Sequence, residues 1–576
     1  MRRAWAAFTV LVLAAACRGR SEAPPSGAGL AGPGTPTSTS TSRSAPATRD
    51  DVAPSAPGPV PVDGGTLQRR LLGEPTSLNA VLQTSLPEAQ VLQYVQRNLF
   101  DFDADLHLVP GLAASMQVSS DGREYVIALR PEAVWEDGKP VTAADAVFTI
   151  RKVADPGIPA PVFQSLYDGL ERVEALDTRR FRAVFREAYA FREMAFVLPV
   201  LPAHRFEGGD FLKAPDNRAP LSSGPYRVAA WKAGVSVELV RNPAYWGPRG
   251  HFDRVVLRIV PDNTTAYRML LAGDLDEDQM DATLKARGES DRRFADCCRL
   301  IEFYTLDWSY IALNNRSPFF EDARVRRALT MLSDRAGAAR DLYRGSARVI
   351  SGPWAPGSPA YDASLPPLPF DPAAAKALLA EAGWRDSDGD GTLDRGGRKF
   401  AFDLTVPAGF ETGRQVSEML AAELARAGVT ARVRTLEWAA FIERVDAGQF
   451  EAASLAWSAV DPNPDPYPYW HSSQCPPHGL NNGCYRNPEA DRLMEEARRE
   501  LDASKRTALF HRLQRIFRDD APAIFLVNST QKFGFDRGVG GVTTSPLGLS
   551  GIWPGPVGWF MDPTRASSAS AKRPAA

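Results

Sequence analysis

Two carboxylates and four aromatic rings share one short stretch of this chain. Residues 454–470 read Ser-Leu-Ala-Trp-Ser-Ala-Val-Asp-Pro-Asn-Pro-Asp-Pro-Tyr-Pro-Tyr-Trp. Asp461 and Asp465 can each meet a cationic group, while Trp457, Tyr467, Tyr469 and Trp470 offer apolar walls, the mixture that lines ligand clefts. The same residues also fit a surface loop whose prolines fix turns and whose rings cover a core. Composition leaves these two readings level.

Two other clusters could do chemistry. Cys475 and Cys484 enclose a short polar loop, and in an exported chain a disulfide is the default for such a pair. Closing so short a loop stabilises by about 3 kcal/mol or less in the chain-entropy model. His471, Cys475, His478 and Cys484 also form, on paper, a zinc-like set of two imidazoles and two thiols, though the spacing is loose. Cys297 and Cys298 are adjacent and fit either a vicinal disulfide or two separate thiols. Asp386, Asp388, Asp390 and Asp394 stand at calcium-loop spacing with glycines for the turn. The twelfth position is Gly397 rather than a bidentate glutamate, so a solvated Asp-Gly turn competes with a weak structural calcium site. No other cofactor is expected.

Hydrolytic and nucleotide-binding signatures are missing: the chain has no His-Glu-x-x-His, no Gly-x-Ser-x-Gly and no P-loop. The 576 residues carry a formal net charge of −2, which excludes the basic footprint of a nucleic-acid binder. A hydrophobic fraction of 44% suits soluble globular domains with a large core.

The beginning of the chain reads as an address. Arg2 and Arg3 precede a short apolar run and then Ala14-Ala15-Ala16-Cys17, so residues 1–16 are expected to be a signal peptide. Cys17 in the first mature position resembles the lipidated cysteine of bacterial lipoproteins, although Ala14 stands where leucine is usual; ordinary secretion is the alternative. A lipid there would anchor the chain to the bacterial membrane, facing periplasm or exterior. Residues 17–61 are rich in Ser, Thr, Pro, Ala and Gly and read as a disordered tether, spanning about 35–40 Å as a flexible coil. Residues 566–576 read as a disordered tail.

The elements that must position these residues are legible between the two ends. Residues 66–72 alternate as a strand, and Val91, Leu92, Val95 and Leu99 recur at helical spacing. Thr142 is a plausible N-cap with Asp145 three residues on. Asp371-Pro372 opens a helix that Gly383 stops, Gly428 closes another, and Asn487-Pro488 starts a third. A further helix carries Leu509, Leu513 and Phe517 and ends before Pro522. Strands alternate with these helices, which predicts an α/β fold.

Several blocks then resemble, in order, the family 5 extracellular solute-binding proteins, the dipeptide-, oligopeptide- and nickel-binding receptors of ABC importers. They are Trp135-Glu136-Asp137-Gly138-Lys139-Pro140-Val141-Thr142, Ser223-Gly224-Pro225-Tyr226, Arg241-Asn242-Pro243-Ala244-Tyr245-Trp246, Leu270-Leu271-Ala272-Gly273-Asp274-Leu275-Asp276 and Val325-Arg326-Arg327-Ala328-Leu329. The resemblance implies a two-lobed periplasmic-binding-protein fold of class II type with an extra domain inserted in the first lobe. It sets residues 62–105, 220–308 and 530–565 as the first-lobe core, 106–219 as the extra domain and 309–529 as the second lobe. It implies a non-enzymatic, monomeric receptor that closes on a peptide and delivers it to an ABC permease and its ATPase subunits, with no nucleic-acid partner. Relatives pair the peptide amine with an Asp after a Trp; here Trp457 and Asp461 match, with Asp465 as the rival. Ser458, and Ser77, Leu78 and Asn79 of the first lobe, complete the expected ligand-binding set. Dipeptide-binding relatives carry an Arg in the loop that here reads Pro407-Ala408-Gly409-Phe410-Glu411, and its absence favours a longer peptide. A nickel or metal chelate, or an oligosaccharide, is the alternative ligand, and an exported hydrolase the remote one.

Overall fold

Four sheets account for most of the strands in the computed structural model of the protein. It describes residues 61–160, 162–458, 462, 464–477, 479–562 and 564. The signal segment, Cys17, nearly all of the tether, and the tail lie outside the described residues, as do Asp461 and His478.

The first strand, Thr66–Leu71, pairs in parallel with Arg254–Ile259, which continues antiparallel to Ser236–Arg241 and Tyr226–Lys232. Leu67, Leu71, Val237, Leu239, Val255 and Leu257 fill the core beneath this sheet. The helix of the 91–99 stripe runs Leu86–Val95. Leu99 is buried but lies past its end, where the chain turns into the strand Phe100–Phe102.

An antiparallel sheet of Ala113–Val118, Glu124–Leu129, Arg180–Phe185 and Leu170–Ala175 forms the inserted domain. Along Glu124–Leu129 every second residue is buried, the signature of a sheet covered on one face. The cover is the helix Ala143–Ala154, whose N-terminus is closed by the reciprocal Thr142–Asp145 capping box.

The second lobe is built on a mixed sheet ordered Thr430–Leu436, Ala401–Pro407, Ala452–Trp457, Trp308–Leu313, Ala523–Phe525. Ile311 and Leu313 point into one core with Val325, Phe400 and Leu420, while Tyr310 and Ala312 point into the other with Trp354, Phe441 and Phe517. A sheet buried on both faces explains why four successive residues, 452–455, are all buried. The helices Pro372–Glu381, Glu411–Arg426, Pro488–Arg499 and Ala503–Asp520 flank it, with Gly383 and Gly428 in the left-handed region at the two stops.

The long strand Val527–Asp536 joins the lobes. Its first residues pair with Ala347–Val349 and the rest with Cys298–Tyr304 and Glu277–Gln279. The buried Asn528 donates its amide to the carbonyls of Thr305 (2.8 Å) and Asp307 (2.7 Å), pinning the returning strand to the outgoing crossover. Cys298, the first residue of the strand Cys298–Tyr304, is paired with Cys297 in a vicinal disulfide.

Two buried ion pairs tie Thr66–Leu71 to Glu277–Gln279. Arg69 meets Glu277 at 3.2 Å, and Arg70 meets Asp278 at 2.9 Å while also donating to Val260 O, Pro261 O and Asn263 Oδ1. The second Asp278 oxygen is buried with no hydrogen-bond partner among the described residues. Burial pushes the Asp278 carboxyl up to about 7 despite Arg70. An unfolded Asp titrates near ~4, so between about 4 and about 7 the native chain retains a proton that the unfolded chain has released. Stability is therefore expected to fall as pH rises through that window and to level off above it. Denaturation midpoints from pH 4 to 8 check this; Asp278→Asn should flatten the slope, and an unchanged slope would remove Asp278 as its source.

Candidate functional site

The site is built at the end of the strand Ala452–Trp457. Trp457, its last residue, lies opposite Trp308 on the neighbouring antiparallel strand. Its indole N–H donates to the Tyr310 hydroxyl at 3.1 Å, and its ring packs on Tyr469 with centroids 4.5 Å apart. Trp308 packs on Tyr310 at 5.0 Å, and Tyr310 on Trp470 at 6.2 Å. Burial pushes the Tyr310 phenol well above its ordinary value, so it stays a neutral donor and acceptor. Trp470 is buried and belongs to the core, whereas Trp457 and Tyr469 are half-buried and keep surface for a ligand. The core-covering role in 454–470 is thus taken by Trp470. Ser458 follows Trp457 and is exposed.

Residues 467–470, read in sequence as loop, form one helical turn, Tyr467–Trp470. Asp465 accepts the backbone N–H of Tyr467 at 3.1 Å as that turn begins. Its carboxylate also accepts from the Tyr189 hydroxyl at 2.9 Å and pairs with Arg498 at 3.1 Å. Burial raises the Asp465 carboxyl above its ordinary value, with Arg498 opposing. It is 6% exposed, and its carboxylate is engaged by protein groups from Tyr189, Tyr467 and Arg498. The loop is also pinned by Trp354, whose indole donates to Pro464 O at 2.9 Å.

Below the loop, Cys475 and Cys484 are joined in a disulfide. The thiols are thereby removed from any zinc set, and His471 Nδ1 is taken by the Ser473 hydroxyl at 2.7 Å. Asn481, which sequence reasoning missed, is buried and donates to the carbonyls of Trp470, His471 and Tyr485, holding both ends of this segment together. In the first lobe, Leu78 is fully buried and the Asn79 side chain accepts from Val81 N and donates to Asn217 Oδ1 at 2.8 Å. Ser77 donates through its hydroxyl to Asn217 O and through its backbone to Glu88. The Ser77 and Asn79 side chains thus hold this segment against Asn217, while the Leu78 side chain is packed in the core with Leu67, Leu71 and Val91. Their sequence signal was positional, and it carried no information on burial.

Arg414 lies inside the helix Glu411–Arg426 and is engaged by Glu411 and Glu418. Its guanidinium is therefore neutralised on its own helix.

The carboxylates of Asp386, Asp388 and Asp390 converge with single oxygens all within 4.8 Å of one another. The Lys399 ammonium meets Asp388 at 2.6 Å and Asp390 at 2.9 Å. Asp394 turns aside to accept from Ser387 N and Oγ. A tethered cation thus neutralises two of the carboxylates that a calcium ion would require. Calorimetric titration of the protein with calcium is expected to show no saturable heat, and Lys399→Ala to gain weak binding. Saturable binding by the unaltered protein would show that calcium displaces the ammonium.

The sheet order, the inserted domain and the crossover strand define a two-lobed receptor for a solute. Residues 107–477 match the family described as bacterial extracellular solute-binding proteins, family 5 middle, and the chain belongs to that family. It is 28% identical over 476 residues to the oligopeptide-binding protein AppA of Bacillus subtilis, covering 81% of this chain and 86% of that one. It is 28% identical over 487 residues to the heme-binding protein A of Haemophilus influenzae, covering 80% and 86%. The solved structure of Bacillus subtilis AppA in complex with a nonapeptide superposes with a TM-score of 0.73 at 26% identity, covering 87% of this chain and 100% of that one. The family is one of transport receptors, so the chain is a substrate-binding protein rather than a catalyst. Among the described residues no helix is long and apolar enough to cross a membrane.

Proposed function

We propose that this chain is the substrate-binding lipoprotein of an ABC importer that captures peptides longer than dipeptides between its lobes and delivers them to a permease and its ATPase subunits. The observation that carries the peptide reading is the aromatic corner of Trp457, Tyr310 and Tyr469, from which the loop bearing Asp461 departs. Rings supply pockets for side chains, and a carboxylate beside them suits an α-ammonium group. The relatives include an oligopeptide-binding protein, which points the same way. The engagement of Arg414 by Glu411 and Glu418 leaves no carboxylate clamp on that helix, which supports a longer ligand over a dipeptide. Cys17 would carry the lipid that holds the receptor at the membrane, with 17–61 as its tether. Micromolar affinity requires about −8 kcal/mol net, within reach of one ammonium–carboxylate pair, backbone hydrogen bonds and ring contacts. Mass spectrometry of whatever co-purifies, followed by calorimetry, tests this: oligopeptides are expected to be carried and to bind, and dipeptides to bind weakly. A metal chelate or sugar found alone, with no heat from any peptide, would overturn it.

A further inference from the structure

The inserted domain reaches the second lobe through residues 188–194, just after the strand Arg180–Phe185. Tyr189 donates to Asp465 Oδ2 at 2.9 Å, and Arg498 Nε pairs with the same oxygen at 3.1 Å. The Arg498 guanidinium also lies over the rings of Tyr189 (5.0 Å) and Tyr467 (4.3 Å), so one cation is shared between the two domains. The Ala190 N–H donates to the Arg498 carbonyl at 2.8 Å. Phe191 stacks on Phe510 at 6.3 Å, is capped by Arg506 at 5.0 Å, and is buried in the second-lobe cluster with Trp354 and Phe517. A ring of one domain is thus part of the other lobe's core.

The covalent joins between the lobes are elsewhere, at 305–307 and within the strand Val527–Asp536, which passes from Ala347–Val349 to Cys298–Tyr304. The 189–191 contact is therefore a separate, non-covalent closure, and one of its members, Asp465, sits on the loop that carries Asp461. We propose that Tyr189, Asp465 and Arg498 form a latch that holds the lobes shut and fixes the ligand loop while they are shut. Asp465 is a positioning residue: its carboxylate meets protein groups from two domains. When the latch opens, the phenol, carboxylate and guanidinium regain water, which offsets part of the cost of exposing Phe191, so a ligand that bridges the lobes can shift the population. A ligand that favours the shut form favours the contact of Asp465 with Tyr189 and Arg498, and the latch in turn slows the ligand's escape. The coupling to ligand rests on the peptide-receptor reading; the latch itself does not.

Hydrogen exchange at residues 189–191 of the full chain, with and without a pool of oligopeptides, tests both parts, using Tyr189→Phe and Asp465→Asn. Tyr189→Phe keeps the ring and loses the hydrogen bond, and an unchanged melting temperature verifies its fold. Loss of one hydrogen bond to a charged acceptor predicts about tenfold faster exchange of the Ala190 amide and about tenfold faster peptide dissociation. Equal exchange in wild type and both variants overturns the latch, whatever the peptides do. Faster exchange in the variants with no response to any peptide supports the latch and overturns the peptide reading. Faster exchange with unchanged peptide dissociation overturns the coupling of latch to ligand.

Discussion

Arg69→Met is expected to lower the stability of the protein by about 3–5 kcal/mol, the cost of leaving one partner of a buried ion pair alone. The magnitude follows from where the pair sits. Arg69 is 1% and Glu277 2% exposed, and both carboxylate oxygens lie 3.2 Å from the guanidinium. Arg69 also donates to the Tyr94 hydroxyl at 3.1 Å and stacks over Trp559 at 4.7 Å. Burial alone would lower the Arg69 guanidinium, yet Glu277 and Tyr94 more than offset it and leave it raised. Methionine can fill much of the space but leaves the Glu277 carboxylate in apolar surroundings beside the neighbouring Asp278. Chemical denaturation of the purified protein measures the effect. The double variant Arg69→Met with Glu277→Leu should recover most of the loss, because two apolar side chains can replace a buried pair at little net cost. A single variant within about 1 kcal/mol of wild type, the range of exposed pairs, would mean that water reaches Glu277.

The elements that depend on near neighbours could be read from the chain itself. Thr142 and Asp145 are three residues apart and form the capping box that their types predict. Asn487-Pro488 opens its helix, and Gly428 takes the left-handed stop after Glu411–Arg426. What escaped depends on partners remote in sequence or on burial. The Asp386–Asp390 spacing suggested calcium because the neutralising ammonium, Lys399, lies nine residues beyond Asp390 and leaves no trace in the loop's own pattern. Asp465 looked like a rival ligand group because Tyr189 lies 276 residues before it. Leu78 and Asn79 were assigned by position in the chain, and only the fold shows Leu78 in the core with Leu67 and Leu71 and Asn79 bonded to Asn217. The 467–470 turn was missed because Pro468 reads as a breaker, whereas a proline in the first turn of a helix gives up no hydrogen bond.

Asp461→Asn is expected to weaken oligopeptide binding by about 3 kcal/mol, roughly a hundredfold or more, the usual loss when one partner of a buried charge pair is removed. Two acidic residues lie in this loop, and the second already meets Tyr189, Arg498 and the Tyr467 amide. Asp461 falls four residues after Trp457, whose ring and indole N–H are fixed by Tyr469 and Tyr310. The proposed site therefore sets Asp461 as the group that meets the peptide ammonium. Calorimetry separates the two roles by ligand chemistry. N-acetylated peptides lack the ammonium, so they should bind wild type and Asp461→Asn equally weakly, while Asp465→Asn should weaken free and acetylated peptides by the same factor. If Asp461→Asn keeps full affinity for free peptides, the amine is held elsewhere and the aromatic corner is at most a side-chain pocket. If instead acetylation costs wild type nothing, the ligand is recognised without its amine, and the preference for peptides over other ring-binding solutes loses its chemical basis.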